Sequence, residues 1–178
     1  MFKKYKPEVL IHLAAYSGGI GANSRFPADF FFKNSLLVTL LFQHAAINNV
    51  KKLIYTMGGC AYPHDAISPI SEDQMWGGFP QQESSGYSIA KKTGIVASQA
   101  YRDQYGLNSS VLIPGNMYGE FDNFKNEESH VIPAMIRRYY EAKTESKKEI
   151  LMWGDGSAIR DFVYVGDVAN IIPWFIEN

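Results

Sequence analysis

The chain is poor in the residues that mark several common functions. It holds a single cysteine, Cys60, among 178 residues. One thiol excludes an intrachain disulfide and points to a reducing compartment, the cytoplasm. Net charge is only −1 and no block of like charge stands out. The segment Lys143 to Glu149 mixes both signs and reads as a solvated helix end or loop. A nucleic-acid surface needs a basic stripe, and none is present, so no nucleic-acid partner is expected. The four histidines, at 12, 44, 64 and 130, lack metal-ligand spacing, and no metal is expected. No apolar stretch approaches the ~20 residues a membrane span needs, so none is expected. Met1–Lys6 is basic and Val9–Ala15 mostly apolar, which superficially mimics a signal peptide. Pro7, Glu8 and His12 interrupt it, and no small-residue cleavage site follows; a buried strand is the better reading.

What is there suits a globular domain with a sizeable core: 46% hydrophobic and 20% charged residues. Val9–Ala14 reads as a strand buried on both faces, as in a parallel sheet. Gly18–Gly21 reads as a flexible loop. Residues 29–49 carry helical periodicity, with Asn48-Asn49 as a stop. Lys52–Met57 is a second strand. The Gly-, Pro- and Ser-rich stretch from Gly58 to Gly86 is a long loop, of a length that is usually functional. Tyr87–Tyr105 is a long helix ended by Gly106. Ser109–Pro114 is a strand, Pro133–Ala142 a helix, and Ile150–Trp153 and Phe162–Val165 short strands. Asp167 reads as the N-cap of a last helix. Strands alternating with long helices predict an α/β fold with a doubly wound parallel sheet.

One glycine motif does not qualify. Gly19-Ile20-Gly21 follows a strand, but a dinucleotide fingerprint needs a third glycine where Ser24 stands. It also needs a helix to begin at once, and Pro27 delays it. The segment reads instead as a turn that lets backbone pass close to a ligand.

Tyr87 and Lys91 lie four apart on a helix, which puts them on one face. A phenol titrates near ~10, too high for neutral proton transfer. An ammonium about 4 Å away stabilises phenolate by roughly 4 kcal/mol at an effective dielectric of 20. That is up to ~3 pKa units, enough to make a tyrosine that exchanges a carbonyl proton. Alone, Y-x-x-x-K is a weak signal, because chance pairs on exposed helix faces are common.

Its company strengthens it. HLAA at His12–Ala15, GGIGANS at Gly18–Ser24, CAYP at Cys60–Pro63 and YSIAK at Tyr87–Lys91 run in order. NMYG at Asn116–Gly119, DNF at Asp122–Phe124, SHVIPAMIRR at Ser129–Arg138, WGDGS at Trp153–Ser157 and RDFVYVGDVA at Arg160–Ala169 follow. In these the chain resembles the extended short-chain dehydrogenase/reductase family and, within it, the GDP-L-fucose synthase group. Those enzymes epimerise GDP-4-keto-6-deoxy-mannose at C3 and C5 and reduce it at C4 with NADPH. The resemblance implies a Rossmann-like fold without its first strands. Residues 1–118 would be the later part of the NAD(P)-binding domain. Residues 119–178 would be part of a smaller substrate-binding region, with 160–178 returning to the first.

The resemblance also implies roles. Tyr87 would protonate the C4 oxygen, with Lys91 lowering its pKa and binding the nicotinamide ribose. Cys60 and His130 would be the acid–base pair of epimerisation, at carbons that the C4 ketone acidifies. Ala14, Ala15, Pro114, Asn116 and His130 would line the cofactor pocket. Arg138 and Arg160 would hold the diphosphate of the GDP-sugar, for which a guanidinium's planar fork is suited, with surface salt bridges the plainer reading, and Trp153 would wall that site or equally sit in the core. NADP is the implied cofactor, with NAD the alternative. A homodimer through the helices at 29–49 and 87–105 is implied too. Apart from the resemblance, Cys60 reads better as a small buried hydrophobe and His130 as a hydrogen-bonded structural residue.

Two departures bear on activity. Gly58-Gly59 stands where the family carries serines, the first of which would complete a Ser–Tyr–Lys triad. Thr56 lies two strand residues back, about 6.6 Å away, too far to substitute. The family's opening strand, glycine-rich phosphate turn and helix, and the rest of its substrate domain, also have no counterpart in this sequence.

Overall fold

The computed structural model describes residues 2–125, 129–152 and 154–178. Helix α1 (Phe2–Tyr5) is a single turn before strand β1 (Val9–His12). The short α2 (Ile20–Arg25) leads into the long α3 (Pro27–Ile47), then β2 (Lys52–Thr56). Three 3₁₀ turns, Gly59–Ala61, Glu72–Trp76 and Gln82–Ser84, carry the chain to α4 (Ser85–Tyr105). Strands β3 (Ser109–Leu112) and β4 (Asn116–Tyr118), helix α5 (Val131–Thr144), strand β5 (Phe162–Tyr164) and helix α6 (Val165–Glu177) complete the order.

Strands β1, β2 and β3 form a parallel sheet in that order, with His12 opposite Tyr55 and Thr56 opposite Leu112. The α/β class and the parallel pairing agree with the sequence reading. Helices α3 and α4 pack on each other and on one face of this sheet. Strand alternation sends Leu53 and Tyr55 into their cluster with Val38, Phe42 and Ala45. Ile54 therefore faces the other side, where it is fully buried, and α6 is the helix that touches β2. A second parallel pair, β4 with β5, lies apart from this sheet.

Local chemistry explains the long helices. Pro27 starts α3, where its fixed φ costs nothing and its missing N–H is not needed. Asp29 sits in the first turn and pairs with Lys33 at 3.0 Å. Buried Phe30, Asn34, Val38, Leu41 and Ala45 fall at three- and four-residue spacing. The helix stops at Asn48, and Asn49 takes φ 55°. Helix α4 ends at Gly106 with φ 68°, whose N–H bonds Arg102 while Leu107 bonds Tyr101.

Five sequence readings need correction. Gly18–Gly21 is not a loose loop: Gly19 caps α2, and the Asn23 amide donates to the carbonyls of Gly18 (2.9 Å) and Gly19 (3.1 Å). Strand β1 is not buried on both faces; it is the edge of its sheet among the described residues, and Val9 and Ile11 are exposed. Residues 150–152 form no strand, having no ladder partner, and Leu151 is exposed; Trp153 lies outside the described residues. Asp167 sits in the first turn of α6, two residues past its start, and Tyr164 is the cap. Finally, α3 is long and apolar enough to cross a membrane by length and composition alone. Here one side, with Val38, Leu41, Phe42 and Ala45, packs on the sheet and α4, while Phe31, Phe32, Leu36 and Leu40 are exposed.

The small residues of α4 set how near it approaches the sheet. A methyl group added at Gly94 would lie 2.2 Å from the Tyr55 ring. Gly94→Ala is therefore expected to cost at least ~2 kcal/mol, despite alanine's better helix propensity. Gly21→Ala, where an added methyl meets nothing within 4 Å, is the control and should be neutral or stabilising. Urea unfolding midpoints of the two variants check this; equal midpoints would reject the close packing.

Candidate active site

The carboxyl ends of parallel strands are where open α/β sheets place ligands, and a cleft lies there in this chain. Its volume is about 590 Å³, and Gly18, Gly58, Cys60, Tyr87, Asn116 and His130 are among its walls. Each wall has a local cause. Gly18 follows β1 in a turn held by Asn23. The same stretch is anchored by buried Asn34 of α3, which accepts from the Tyr16 N–H (3.0 Å) and donates to the Tyr16 carbonyl (2.9 Å). Gly58 and Cys60 follow β2, and Cys60 lies in the first 3₁₀ turn. Tyr87 stands in the first turn of α4. Gly86 lets that turn meet the start of α3, since a methyl there would lie 2.7 Å from the Pro27 carbonyl oxygen. The Tyr87 ring meets Phe30 edge-on at 6.4 Å.

Asn116 lines the cleft from β4, and its side chain donates to the Asp161 carbonyl at 2.9 Å. His130 caps α5 and is exposed. Pro114 is half-buried, with its carbonyl 4.0 Å from where a Gly59 methyl would sit. Ala14 is exposed and Ala15 half-buried, in the stretch directly after β1. Arg138 does not line this cleft; it borders a separate hollow of about 410 Å³ with Glu141, Lys147 and Glu149. Arg160 is exposed and donates to the Ile159 carbonyl at 2.8 Å.

Lys91 runs inward over the Tyr55 ring. It is 2% exposed, and its ammonium lies 4.5 Å over the centroid of the Tyr55 ring. Four-residue spacing fixes the shared face of a helix but not where a long flexible side chain ends. Burial pushes Lys91 down to about 8, opposed by Cys60. Tyr87 is pushed up to about 12, by burial first and the Cys60 sulfur second. Tyr87 is therefore protonated at neutral pH. Cys60 is exposed to the cleft, yet close neighbours crowd its sulfur. Burial pushes its thiol up, while a Ser88 hydrogen bond and the Lys91 charge pull it down.

The geometry at Gly58 accounts for the missing triad hydroxyl. A β-carbon at 58 would lie 4.0 Å from the Tyr87 hydroxyl and 3.2 Å from the Cys60 sulfur. A serine there would stand beside the phenol, and here the thiol borders that space. Thr56 cannot reach, because its hydroxyl donates to the His12 carbonyl at 3.0 Å.

The sequence pattern of the NAD dependent epimerase/dehydratase family matches residues 1–178. The chain belongs to that family. It is 39% identical to GDP-L-fucose synthase 1 of Arabidopsis thaliana over 177 residues, covering 99% of this chain and 55% of that protein. It is 38% identical over 156 residues to GDP-L-fucose synthase of Escherichia coli (strain K12), covering 88% and 49%. Among solved structures it is similar to a GDP-L-fucose synthetase from Naegleria fowleri bound to NADP. The TM-score there is 0.88 at 28% identity, over 98% of this chain and 57% of that one. The chain therefore spans about half the length of the relatives it matches.

Sequence reasoning assigned no role to His12, met there mainly as the start of the HLAA run, or to Tyr55, met there only as part of a strand. Their rings stack at 5.8 Å and 16°. His12 is pushed down to about 4 by burial and then by Lys91, and its Nδ1 is buried without a hydrogen-bond partner. Between about 6.5 and about 4 the unfolded chain binds a proton at His12 that the folded chain refuses. Stability is therefore expected to fall as pH drops through that window. Denaturant unfolding of wild type and His12→Phe across it checks this: the difference between the two proteins should change, and a constant difference would rule out a neutral buried His12.

Proposed function

We propose that this chain carries the reaction cleft of a GDP-sugar epimerase/reductase of the GDP-L-fucose synthase type. The observation that carries the reading is the meeting of Tyr87, Cys60 and His130 around one cleft at the sheet's carboxyl edge, with Lys91 buried behind it. Names of relatives with this activity support it. Family membership alone leaves the chemistry open, so the site must carry it.

Tyr87, protonated at neutral pH, gives its proton to the C4 oxygen of the keto-sugar as the carbonyl is reduced. Cys60 and His130 remove and return protons at C3 and C5, which the neighbouring ketone acidifies. NADPH, when bound, supplies the hydride to C4; NAD is the alternative cofactor. The small residues after the strands suit the close approach of a flat nicotinamide, since neither Gly58 nor Gly59 carries a side chain at the cleft wall. Ala14, Ala15, Lys91, Pro114 and Asn116 are the residues we assign to its ribose and ring. We assign Arg138 and Arg160, with Trp153, to the GDP end of the substrate. The exposed outer face of α3, with Phe31, Phe32, Leu36 and Leu40, supports a homodimer through α3 and α4, and the free thiol supports a cytoplasmic setting.

Gly58 favours a second reading, in which epimerisation outlasts reduction. The hydroxyl that would bind the substrate oxygen beside Tyr87 is missing, and one lost donor can cost ~10²–10³ in rate. Deuterium uptake at C3 and C5 of the keto-sugar, measured beside NADPH oxidation, separates the readings. Uptake with oxidation supports the first reading, uptake alone the second, and neither a chain without catalysis. Tyr87→Phe should lower NADPH oxidation by ~10² or more and spare uptake. Cys60→Ser should slow uptake by a similar factor. Gly58→Ser should raise NADPH oxidation by up to ~10². Unchanged oxidation in Tyr87→Phe removes the phenol from the role assigned to it.

A further inference from the structure

Lys91 carries its charge into the interior without an acidic partner. No salt bridge reaches it among the described residues. The titratable groups facing it are His12 from β1, Tyr55 from β2, Cys60 from the first 3₁₀ turn, and Tyr87 one turn earlier on its own helix. None of these is a carboxylate, and His12 is held neutral. What lies against the ammonium is the face of Tyr55, 4.5 Å from its centroid. An aromatic face attracts a cation through its quadrupole, most strongly where water is excluded. Tyr55 is fully buried.

The same residue grips the Lys91 backbone. Its hydroxyl donates to the Lys91 carbonyl at 3.0 Å in a buried bond. Burial pushes the Tyr55 hydroxyl far above its ordinary value, so it stays a neutral donor. Its ring is itself fixed, stacked on His12 and edge-on to Phe42 at 5.6 Å. Gly94 permits the approach, one turn past Lys91.

We propose that Tyr55 is the positioning residue of the site: its ring keeps the Lys91 ammonium charged and aimed, and its hydroxyl fixes the helix turn that carries it. The consequence for catalysis rests on the reading given under Proposed function; the effect on Lys91 itself does not.

Two variants divide the roles. Tyr55→Phe keeps the aromatic face and loses the hydroxyl bond. Tyr55→Leu loses both. The Lys91 titration is followed by carbon-13 NMR of lysine ε-carbons, assigned with Lys91→Arg, in protein without substrate or cofactor. Tyr55→Leu should lower the Lys91 midpoint by about one unit, because the cation loses its π partner. Tyr55→Phe should keep the wild-type midpoint while lowering the melting temperature by several degrees. In a form that oxidises NADPH, the alkaline limb of the pH profile should move down with Tyr55→Leu and stay with Tyr55→Phe. Should the leucine variant fail to fold, phenylalanine analogues of rising fluorination at 55 keep the shape and weaken the quadrupole. The midpoint should then fall stepwise with fluorine number. A midpoint that ignores fluorination, or that moves as far in Tyr55→Phe as in Tyr55→Leu, overturns the proposal. A responsive midpoint in a wild-type protein that neither exchanges nor reduces the keto-sugar leaves Tyr55 in its role and overturns the catalytic reading instead.

Discussion

The contact between Tyr55 and helix α4 determines the rest of the site. At Gly94 the helix comes close enough to the strand that no side chain fits between them. That approach brings the Tyr55 hydroxyl to the Lys91 carbonyl and the Tyr55 ring under the Lys91 ammonium. It also sets the height of α4 over the sheet, and so how far Tyr87, one turn earlier, stands from the ends of the strands. A second glycine, Gly86, settles the other end of the helix against Pro27 of α3. Two glycines on one helix thus define both the cleft wall and the direction of its buried cation.

Burial then divides the protonation states. The Tyr87 phenol is pushed up to about 12 and His12 down to about 4, so both are neutral at neutral pH. Lys91 is pushed down to about 8 and remains largely charged. These shifts share desolvation as their leading cause, which always favours the uncharged form. The lysine keeps its charge because it starts highest. A cleft with one buried cation and a protonated phenol is built to meet an oxygen that gains electron density.

Much of this was legible in the sequence, for identifiable reasons. Helices α3 and α4 were legible because their buried residues recur at helical spacing and because Pro27, Asn49 and Gly106 are strong boundary residues. Strands β2 and β3 were legible as apolar runs between turns. Helix α2 was not, because Gly18 to Gly21 carries loop composition and only the Asn23 amide reveals the turn it stabilises. The exposure of β1 depends on which elements flank it, which no local pattern encodes. Residues 150–152 have strand composition without a partner to pair with. In the site, the Tyr87–Lys91 spacing was visible but the path of the lysine was not. Spacing fixes a helix face, whereas the ring that draws the ammonium inward comes from a strand 36 residues earlier. Arg138 borders a different hollow from the cleft that His130 lines, a separation that sequence spacing does not encode.

The choice of an aromatic partner for Lys91 has a chemical consequence of its own. A carboxylate at the position of the Tyr55 ring would hold the ammonium more strongly, but it would also cancel its field across the cleft. A quadrupole falls off faster with distance than a charge, so the ring anchors the cation locally and leaves its field intact further out. The Cys60 sulfur feels that field, which pulls its thiol down against burial. The same field would favour negative charge on any group held beside that thiol. Gly58 offers no hydroxyl beside the phenol, so under the proposed reading the positive field of Lys91 carries more of the support of a reacting oxygen. The aromatic anchor is therefore better matched to this chain than an ion pair would be.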